Sequence, residues 1–526
     1  MFKFNCTKKS ALQTGKVLTF GLGMILLASQ LGTTGAHGKT EAVQAWPPQF
    51  LDIGMSELPS RPSMFQVPDG TRYRQQYLAG GAKYGWSIWN NNGDFAKFYI
   101  ESSQSYGKTS IFTFYNICQS GSGGGGNGNH PCYQNEQNAI KNNLENADTM
   151  RDYWNDLELF YKKAAEFPNE TVILHVEPDL WGHIQQLSSN DDSAQYPNSV
   201  MVSGSGHPSL GGLPNSMAGF AQALFRLRDT TNADNVLIAY HASPWGTGDS
   251  FIYSNPNNAK LIATADQSIK FYKSLNQIFD LTFFEMRDRD AGFYQYVWNT
   301  PDAWWNPNDF DNHIKFINRY TESTGQQVMI WQIPYGNTKR AILNNTTSHY
   351  QDNLVETLLD EPNLETLKRY KDAGVIALIF GQGAGGTTCP CDSNNDGKVD
   401  DGGYFYEVAS NYIKNNLLSL SGVPSLNASY SLKPDGIKLS WNSTGASEYE
   451  IWWGASANLA PGSNCAAASN CASTTNLSYT STLPNNVSER YFVVAFRENG
   501  ELSEVSAVFR SVRLTEFIYL PMIANE

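Results

Sequence analysis

The chain has 526 residues, of which 41% are hydrophobic and 17% charged. That balance excludes a disordered chain and leaves room for more than one domain. The net charge of −13, without any basic patch, argues against nucleic acid as a partner. Residues 1–36 read as a secretory signal peptide. Lys3, Lys8, Lys9 and Lys16 precede the apolar run Val17 to Leu27, and Thr34-Gly35-Ala36 is an acceptable cleavage site. The alternative is an uncleaved anchor. With no other long apolar run, the expectation is a secreted protein without a membrane span in the mature chain, and a monomer.

From about Trp46 the chain alternates short apolar strands with longer helical stretches. Phe50 to Ser56 places Leu51, Ile53 and Met55 on one face and Asp52 on the other. Ser110 to Cys118 is a second strand. The Gly-rich run Ser120 to Asn129 lacks the Gly-Lys-Ser/Thr ending of a phosphate loop and reads as a flexible rim loop. Asn135 to Phe167 is helical with one break. In Thr171 to Gly182 (TVILHVEPDLWG), Val172, Leu174 and Val176 form an apolar face, while Ile173, His175, Glu177 and Asp179 share the other. Polarity rises toward the end of this strand, as where a strand of an α/β enzyme opens into its active site.

Residues 183–215 are rich in Ser, Asn, Gly and Pro and read as a long loop. Met217 to Arg228 is a helix. Asn235 to Trp245 is a strand ending near His241, and Ala259 to Phe279 a helix. Leu281 to Asp290 is a strand that turns charged at Glu285. Phe310 to Ser323 is a helix, Gln327 to Pro334 a strand ending in Trp331-Gln332, and Leu354 to Ala373 helical. Val375 to Gly381 is the last strand and Gly403 to Asn415 the last helix. Seven strands, each followed by helix, predict an α/β fold over 46–420, a (β/α) barrel of seven or eight mostly parallel strands. Tyr84 to Trp89 is the candidate eighth strand. A doubly wound open sheet is the alternative, without a Gly-rich nucleotide fingerprint to support it.

Six cysteines remain once Cys6 leaves with the signal, in pairs close in sequence: Cys118 and Cys132, Cys389 and Cys391, Cys465 and Cys471. Export makes disulfides the expectation. Cys465–Cys471 follows from isolation, whereas the other four allow three connectivities, crossed pairing among them.

After Leu420 the composition changes. Gly436 to Trp441, Glu448 to Trp453 and Arg490 to Phe496 are short alternating strands separated by turn residues, an all-β sandwich over 423–513 followed by a tail at 514–526. Leu439-Ser440-Trp441, Tyr449-Glu450-Ile451-Trp452, and Tyr491 to Ala495 with Gly500 and Ser503 resemble a fibronectin type III domain. The resemblance implies a spacer or anchoring module without chemistry of its own.

Carboxylates at strand ends carry the chemical signal. Glu177 and Glu285 end strands two apart, positions that face each other across a barrel mouth. Glycoside hydrolysis needs two flanking carboxylates, one protonated and one ionised. Glu177 is the candidate general acid and Glu285 its partner, and Asp52, Asp179 or Asp288 could substitute for either. Asp52, His175, His241, Arg287 and Gln332 are candidates to orient substrate, and Trp181, Trp245 and Trp331 to stack on sugar rings. The Glu177-Pro178-Asp179-Leu180 stretch, after the apolar run Ile173 to Val176, is similar to the Glu-Pro-Asp-Ser-Leu strand motif of glycoside hydrolase family six, the inverting cellulases. Trp181 departs from that pattern and the family's upstream Asp-Cys-Ala-Ala motif is absent. The resemblance implies a sugar hydrolase on a barrel with a polysaccharide or oligosaccharide substrate. The alternative is a non-catalytic extracellular protein that binds carbohydrate or another partner through the same mouth. No Gly-x-Ser-x-Gly elbow and no His-Glu-x-x-His appears, which argues against serine esterases and zinc peptidases.

Residues 392–400 (DSNNDGKVD) match the start of an EF-hand or dockerin calcium loop. Asp392, Asn394, Asp396, Lys398 (through its backbone carbonyl) and Asp400 fall at ligand positions, and Gly397 at the sixth place suits the sharp turn. The twelfth place is Gly403 rather than an acid. Structural calcium is the expected cofactor.

Overall fold

A computed structural model describes residues 48–57, 66–125, 129–248, 257–300, 303–340, 345–346, 348–381 and 387–420. It also describes 426–430, 437–441, 446–454, 461–462, 464–476, 478–481, 489–498, 501–505 and 509–512. The proposed signal peptide at 1–36 and the tail at 514–526 lie outside these residues. Among the described residues, no helix is long and apolar enough to cross a membrane.

Eight parallel strands close into a barrel in sequence order. They are β1 (Asp52–Ser56), β2 (Tyr73–Ala79), β3 (Thr109–Tyr115), β4 (Val172–Val176), β5 (Val236–His241), β6 (Leu281–Glu285), β7 (Val328–Ile333) and β8 (Val375–Phe380). Closure is made by β1 on β8, with Asp52 opposite Ala377 and Met55 opposite Phe380. The eighth strand is β2 and not Tyr84 to Trp89, where Trp86–Trp89 forms a helical turn. The reason is visible in YRQQYLA. Arg74, Gln75 and Gln76 break the apolar alternation, yet Gln75 is buried because Thr113 and Ser56 share hydrogen bonds with its amide.

Around the wall the predicted alternation holds. Val172, Leu174 and Val176 pack with the surrounding helices, whereas Ile173 packs inside with Tyr73, Ile111, Leu281, Phe283 and Met329. Toward the strands' C-terminal ends this apolar filling gives way to a polar belt. The Gln75 amide donates to Thr113 Oγ1 (2.9 Å), which lies 3.3 Å from His175 Nδ1, and His175 Nε2 is 2.9 Å from His241 Nδ1. Burying so many polar groups is affordable only because each meets another.

The helices follow local capping rules. The stretch after β3 breaks at Asn146, whose side chain accepts from the Thr149 amide (2.9 Å) and so ends Glu136–Glu145 and starts Ala147–Ala164. The stretch expected to be helical from Leu354 to Ala373 is two helices, Leu354–Leu359 and Glu365–Asp372, because Pro362 interrupts it. The expected loop at 183–215 begins later than its composition suggests, since the helix Pro178–Leu187 runs into it.

The cysteines pair with their sequence neighbours: Cys118–Cys132, Cys389–Cys391 and Cys465–Cys471. The described part of the Gly-rich run is held in place. Gly125 N donates to Gly80 O (3.0 Å), and a Cβ on Gly81 would sit 2.0 Å from Gln119 O, so only glycine fits where these segments cross.

Beyond residue 425 the strands are antiparallel and form two sheets. One has order β13-β10-β9, from β9 (Leu426–Tyr430), β10 (Ile437–Trp441) and β13 (Ser478–Ser481). The other joins β12 (Cys471–Thr474), β11 (Tyr449–Gly454), β14 (Glu489–Glu498) and β15 (Glu501–Val505), and β16 (Phe509–Val512) also pairs with β14. Leu439, Trp441, Tyr449, Ile451, Phe492, Val494 and Phe496 form their shared core.

Candidate active site at the barrel mouth

β4 ends at Val176, and the backbone then turns sharply. Glu177 is left-handed (φ +46°), and Pro178 opens a helix whose first turn carries Asp179. Proline suits this first position because its missing N–H has no helical partner there. The turn breaks the face that His175, Glu177 and Asp179 were expected to share. Glu177, 1% exposed, accepts from the amides of Asn116 (2.9 Å) and Ile117 (3.1 Å), with Tyr153 of the helix Ala147–Ala164 beside it. Burial pushes its carboxyl up to about 8, against the pull of those two amides. Glu177 thus ties the β3 end to the β4 end, its carboxyl taken up by two backbone amides.

Asp179 takes the place expected of Glu177. It is half-buried, its carboxyl meets that of Glu136 and the Tyr115 hydroxyl, and the charge of Glu285 acts on it. Burial, then the charges of Glu136 and Glu285, hold Asp179 well above the usual carboxylate range. Glu136, at the first position of its helix, accepts from Tyr115 Oη (2.6 Å) and lies 3.8 Å from His183 Nε2. Burial pushes Glu136 up, but hydrogen bonds with His183, Tyr115 and Asp179 outweigh it and leave it lowered. Two carboxyls in contact cannot both ionise cheaply, so the proton resides on Asp179.

Glu285 is the last residue of β6 and half-buried. Burial and then the charge of Asp288 raise it to about 7, while the Trp245 indole against it favours the ionised form. Trp245 is held by close packing. A Cβ on Gly182 would lie 2.5 Å from the Trp245 ring, so this residue's lack of a side chain lets the indole settle on the helix Pro178–Leu187. His183 meets the same ring at 4.9 Å. Gln332 (φ +56°) donates to Tyr77 Oη (2.9 Å), and the charges of Asp179, Glu285 and Asp288 all act on Tyr77.

Several expected site residues sit elsewhere. Asp52 lies at the N-terminal end of β1, the far end from the mouth, paired with Arg72 (3.3 Å). Trp181 is fully buried, donating to Val176 O (2.8 Å) among Phe220, Tyr240 and Phe279. Its place on the helix turned it away from the barrel interior. Arg287 is buried against Asp352 (2.8 Å) and braces the loop after β6 from below. His175 and His241 are sealed in the polar belt. Burial, aided for His175 by its neighbour His241, pushes His175 well down, and burial takes His241 to about 3, so both are neutral imidazoles. Trp331 is 3% exposed and packs edge-on to His175 as part of the floor. The mouth therefore keeps Asp179, Glu285, Asp288, Trp245 and Gln332 of the expected set and adds Tyr77, Tyr115, Glu136 and His183. Glu136 carried no local signal, being one acid among many at a helix start. Tyr77 was hidden with β2.

In the loop 392–400, Asp392 and Asn394 both accept from the Asp396 amide (2.9 and 3.1 Å), and Asp392 also accepts from the Gly397 amide (2.8 Å). Asp396 lies 3.4 Å from His349 Nε2, and Asp400 is bound by Ser393. Among the described residues, no group of three or more His, Cys, Asp or Glu side chains converges as a metal site.

No family model and no curated protein matches the chain. Similar solved structures are an endo-β-1,4-mannanase double mutant from Cellulomonas fimi, a glycoside hydrolase family 26 endo-β-1,4-mannanase catalytic domain from Bacillus sp. JAMB-750, and a family 6 enzyme from Orpinomyces sp. Y102. The first is 9% identical over 87% of this chain and 94% of its own, with TM-score 0.35. The second is 12% identical over 71% and 88%, with TM-score 0.41. The third is 18% identical over 51% and 63%, with TM-score 0.26. Likenesses this low carry no argument about chemistry, and the closed barrel stands on its own strand pairing.

Proposed function

We infer that the protein is a glycoside hydrolase acting on a polysaccharide or oligosaccharide, with Asp179 as general acid and Glu285 as its ionised partner. The observation that carries this reading is the pair itself. Two half-buried carboxyls stand just beyond the end of β4 and at the end of β6, and their surroundings differ. Glu136 keeps the proton on Asp179, ready for the leaving oxygen, and Glu285 is the group that ionises as pH rises. Glu285 acts as nucleophile or as the base for a water. Proton NMR of the first anomer released separates the two roles. Tyr77, Tyr115, Gln332 and Trp245 offer the hydroxyl, amide and ring contacts by which sugars are held.

Screening polysaccharides for released reducing ends is the experiment. Asp179→Asn and Glu285→Gln should each lower turnover by about 100-fold or more, while Glu177→Gln stays active. Full activity in Asp179→Asn or Glu285→Gln removes that residue from the reaction. Retention of polysaccharide without turnover would favour the binding-protein alternative.

The remaining parts of the reading complete an exported enzyme. A signal peptide at 1–36 leads a catalytic domain at 46–420, and a fibronectin type III-like module follows at 423–513. Its antiparallel strands, in one sheet of three and one of five around a shared apolar core, are compatible with that module. Calcium at 392–400 is proposed on the ligand spacing of that segment.

A further inference from the structure

The loop after β6 carries the most exposed aromatic cluster near the mouth. Trp298 is 50% exposed, beside Tyr296 at 59% and Val297 at 50%. Three neighbours fix the Trp298 ring. The Arg289 guanidinium lies over it at 4.5 Å, and Phe293 and Tyr294 meet it edge-on at 5.4 and 5.2 Å. An indole with a cation on it and its remaining surface in solvent is a preset flat apolar plate. Leaving such surface in water is costly unless something covers it in use.

This plate is linked to the reacting carboxyls through Asp288. Tyr294 and Arg289 both hydrogen-bond Asp288, whose charge acts on Glu285. Its loop is pinned from beneath. Asp290 accepts from the amides of Gly336 (2.9 Å) and Thr388 (2.8 Å), and Asp352 accepts from Arg287 (2.8 Å) and the Ala291 amide (2.6 Å). A pinned aromatic plate spends little ordering entropy on binding. The charge of the mouth narrows the ligand. With Asp179 protonated, Glu136, Glu285 and Asp288 still outnumber Arg289, which is itself bound to Asp288. A uronate or sulfated chain would be repelled there.

Resting on the hydrolase reading, we propose that Trp298 is a stacking subsite for a sugar residue beyond the cleavage point, in a cleft that takes chains of uncharged sugars. The occupant is a sugar ring, because its apolar C–H face matches the open face of a fixed indole and its hydroxyls reach the polar mouth.

The full chain carrying Glu285→Gln reads binding without turnover. In native affinity gels, soluble galactomannan or mixed-linkage β-glucan should retard this variant, and polygalacturonate should not. Adding Trp298→Ala should weaken that retention by about tenfold, with Trp298→Phe falling between the two. Phe98→Ala, an equally exposed aromatic on the helix Asp94–Ser105, should leave retention unchanged. Melting temperatures of the Trp298 variants should match the parent, which separates a lost subsite from a misfolded loop. Retention indifferent to Trp298→Ala, equal retention by polygalacturonate, or no retention by any uncharged polymer overturns the proposal. The two readings fail separately. Wild-type hydrolysis with an inert Trp298→Ala leaves the enzyme and removes the subsite, whereas Trp298-dependent retention without wild-type hydrolysis leaves the subsite and removes the enzyme.

Discussion

Between Glu177 and Asp179 the chain passes through a left-handed residue and a proline, and the two carboxyls end in different surroundings. Glu177 is sealed on two amides, and its raised value of about 8 has a consequence for stability. From the ordinary value of 4.5 up to about 8, the folded state binds the extra proton, so this residue's contribution to stability is full below 4.5 and is lost as pH rises toward 8. Glu177→Gln, which cannot ionise, should therefore match wild type in thermal unfolding near pH 5 and exceed it near pH 8, by roughly 1 kcal/mol or more. Parallel melting curves at both pH values would show that Glu177 titrates normally. Asp179 depends on Glu136 in the opposite sense. The Glu136 charge keeps Asp179 protonated, so Glu136→Gln should move the alkaline limb of the pH–rate profile to lower pH. The acidic limb, set by Glu285 at about 7, should stay near its wild-type position. An unmoved alkaline limb would detach Glu136 from the acid. Residue identity alone could not separate Glu177 from Asp179, because the sorting is done by one backbone turn. Strand alternation predicted a shared face, and it held only as far as the strand did.

Elements were legible where an apolar period ran uninterrupted. β4 to β8 lie within a few residues of their expected positions, and so do the long helices. β2 was not legible, because Arg74, Gln75 and Gln76 draw their stability from partners on other strands and helices: Arg74 from Glu57 at 3.0 Å and Gln75 from Thr113 at 2.9 Å. Partners distant in sequence leave no local period to read. Segment 392–400 shows the reverse case, a strong local pattern whose carboxylates turn to the protein's own amides and to His349 and Ser393. If calcium binds there, it stabilises only the folded state, and chelator should lower the melting temperature of wild type. Asp392→Ala combined with Asp396→Ala should then melt at the same temperature with and without chelator. A wild-type curve unmoved by excess chelator would leave these residues as self-capped turns.

At the scale of the molecule, a closed barrel must seal its bottom as well as join its first strand to its last. The end of the α/β region supplies that seal. Leu51 N donates to Leu418 O and Leu420 N to Gln49 O, each at 2.9 Å, so residues 418–420 run alongside the entry to β1. Tyr412 Oη donates to Leu51 O at 2.7 Å from the turn after the last helix. Leu420 also packs against both the inner filling and the outer helix layer. The composition shifts after Leu420, although nothing in the sequence showed that residues 418–420 close the ring beneath β1. A chain ending at Ser421 keeps all of these contacts and should retain the barrel's cooperative melting and its turnover of short substrates. One ending at Asn416 loses two backbone hydrogen bonds and the packing of Leu417, Leu418 and Leu420, a cost of roughly 3 kcal/mol or more. Its melting temperature should drop by several degrees relative to the longer truncation. Equal melting of the two truncations would show that β1 and β8 hold the ring closed without the seal.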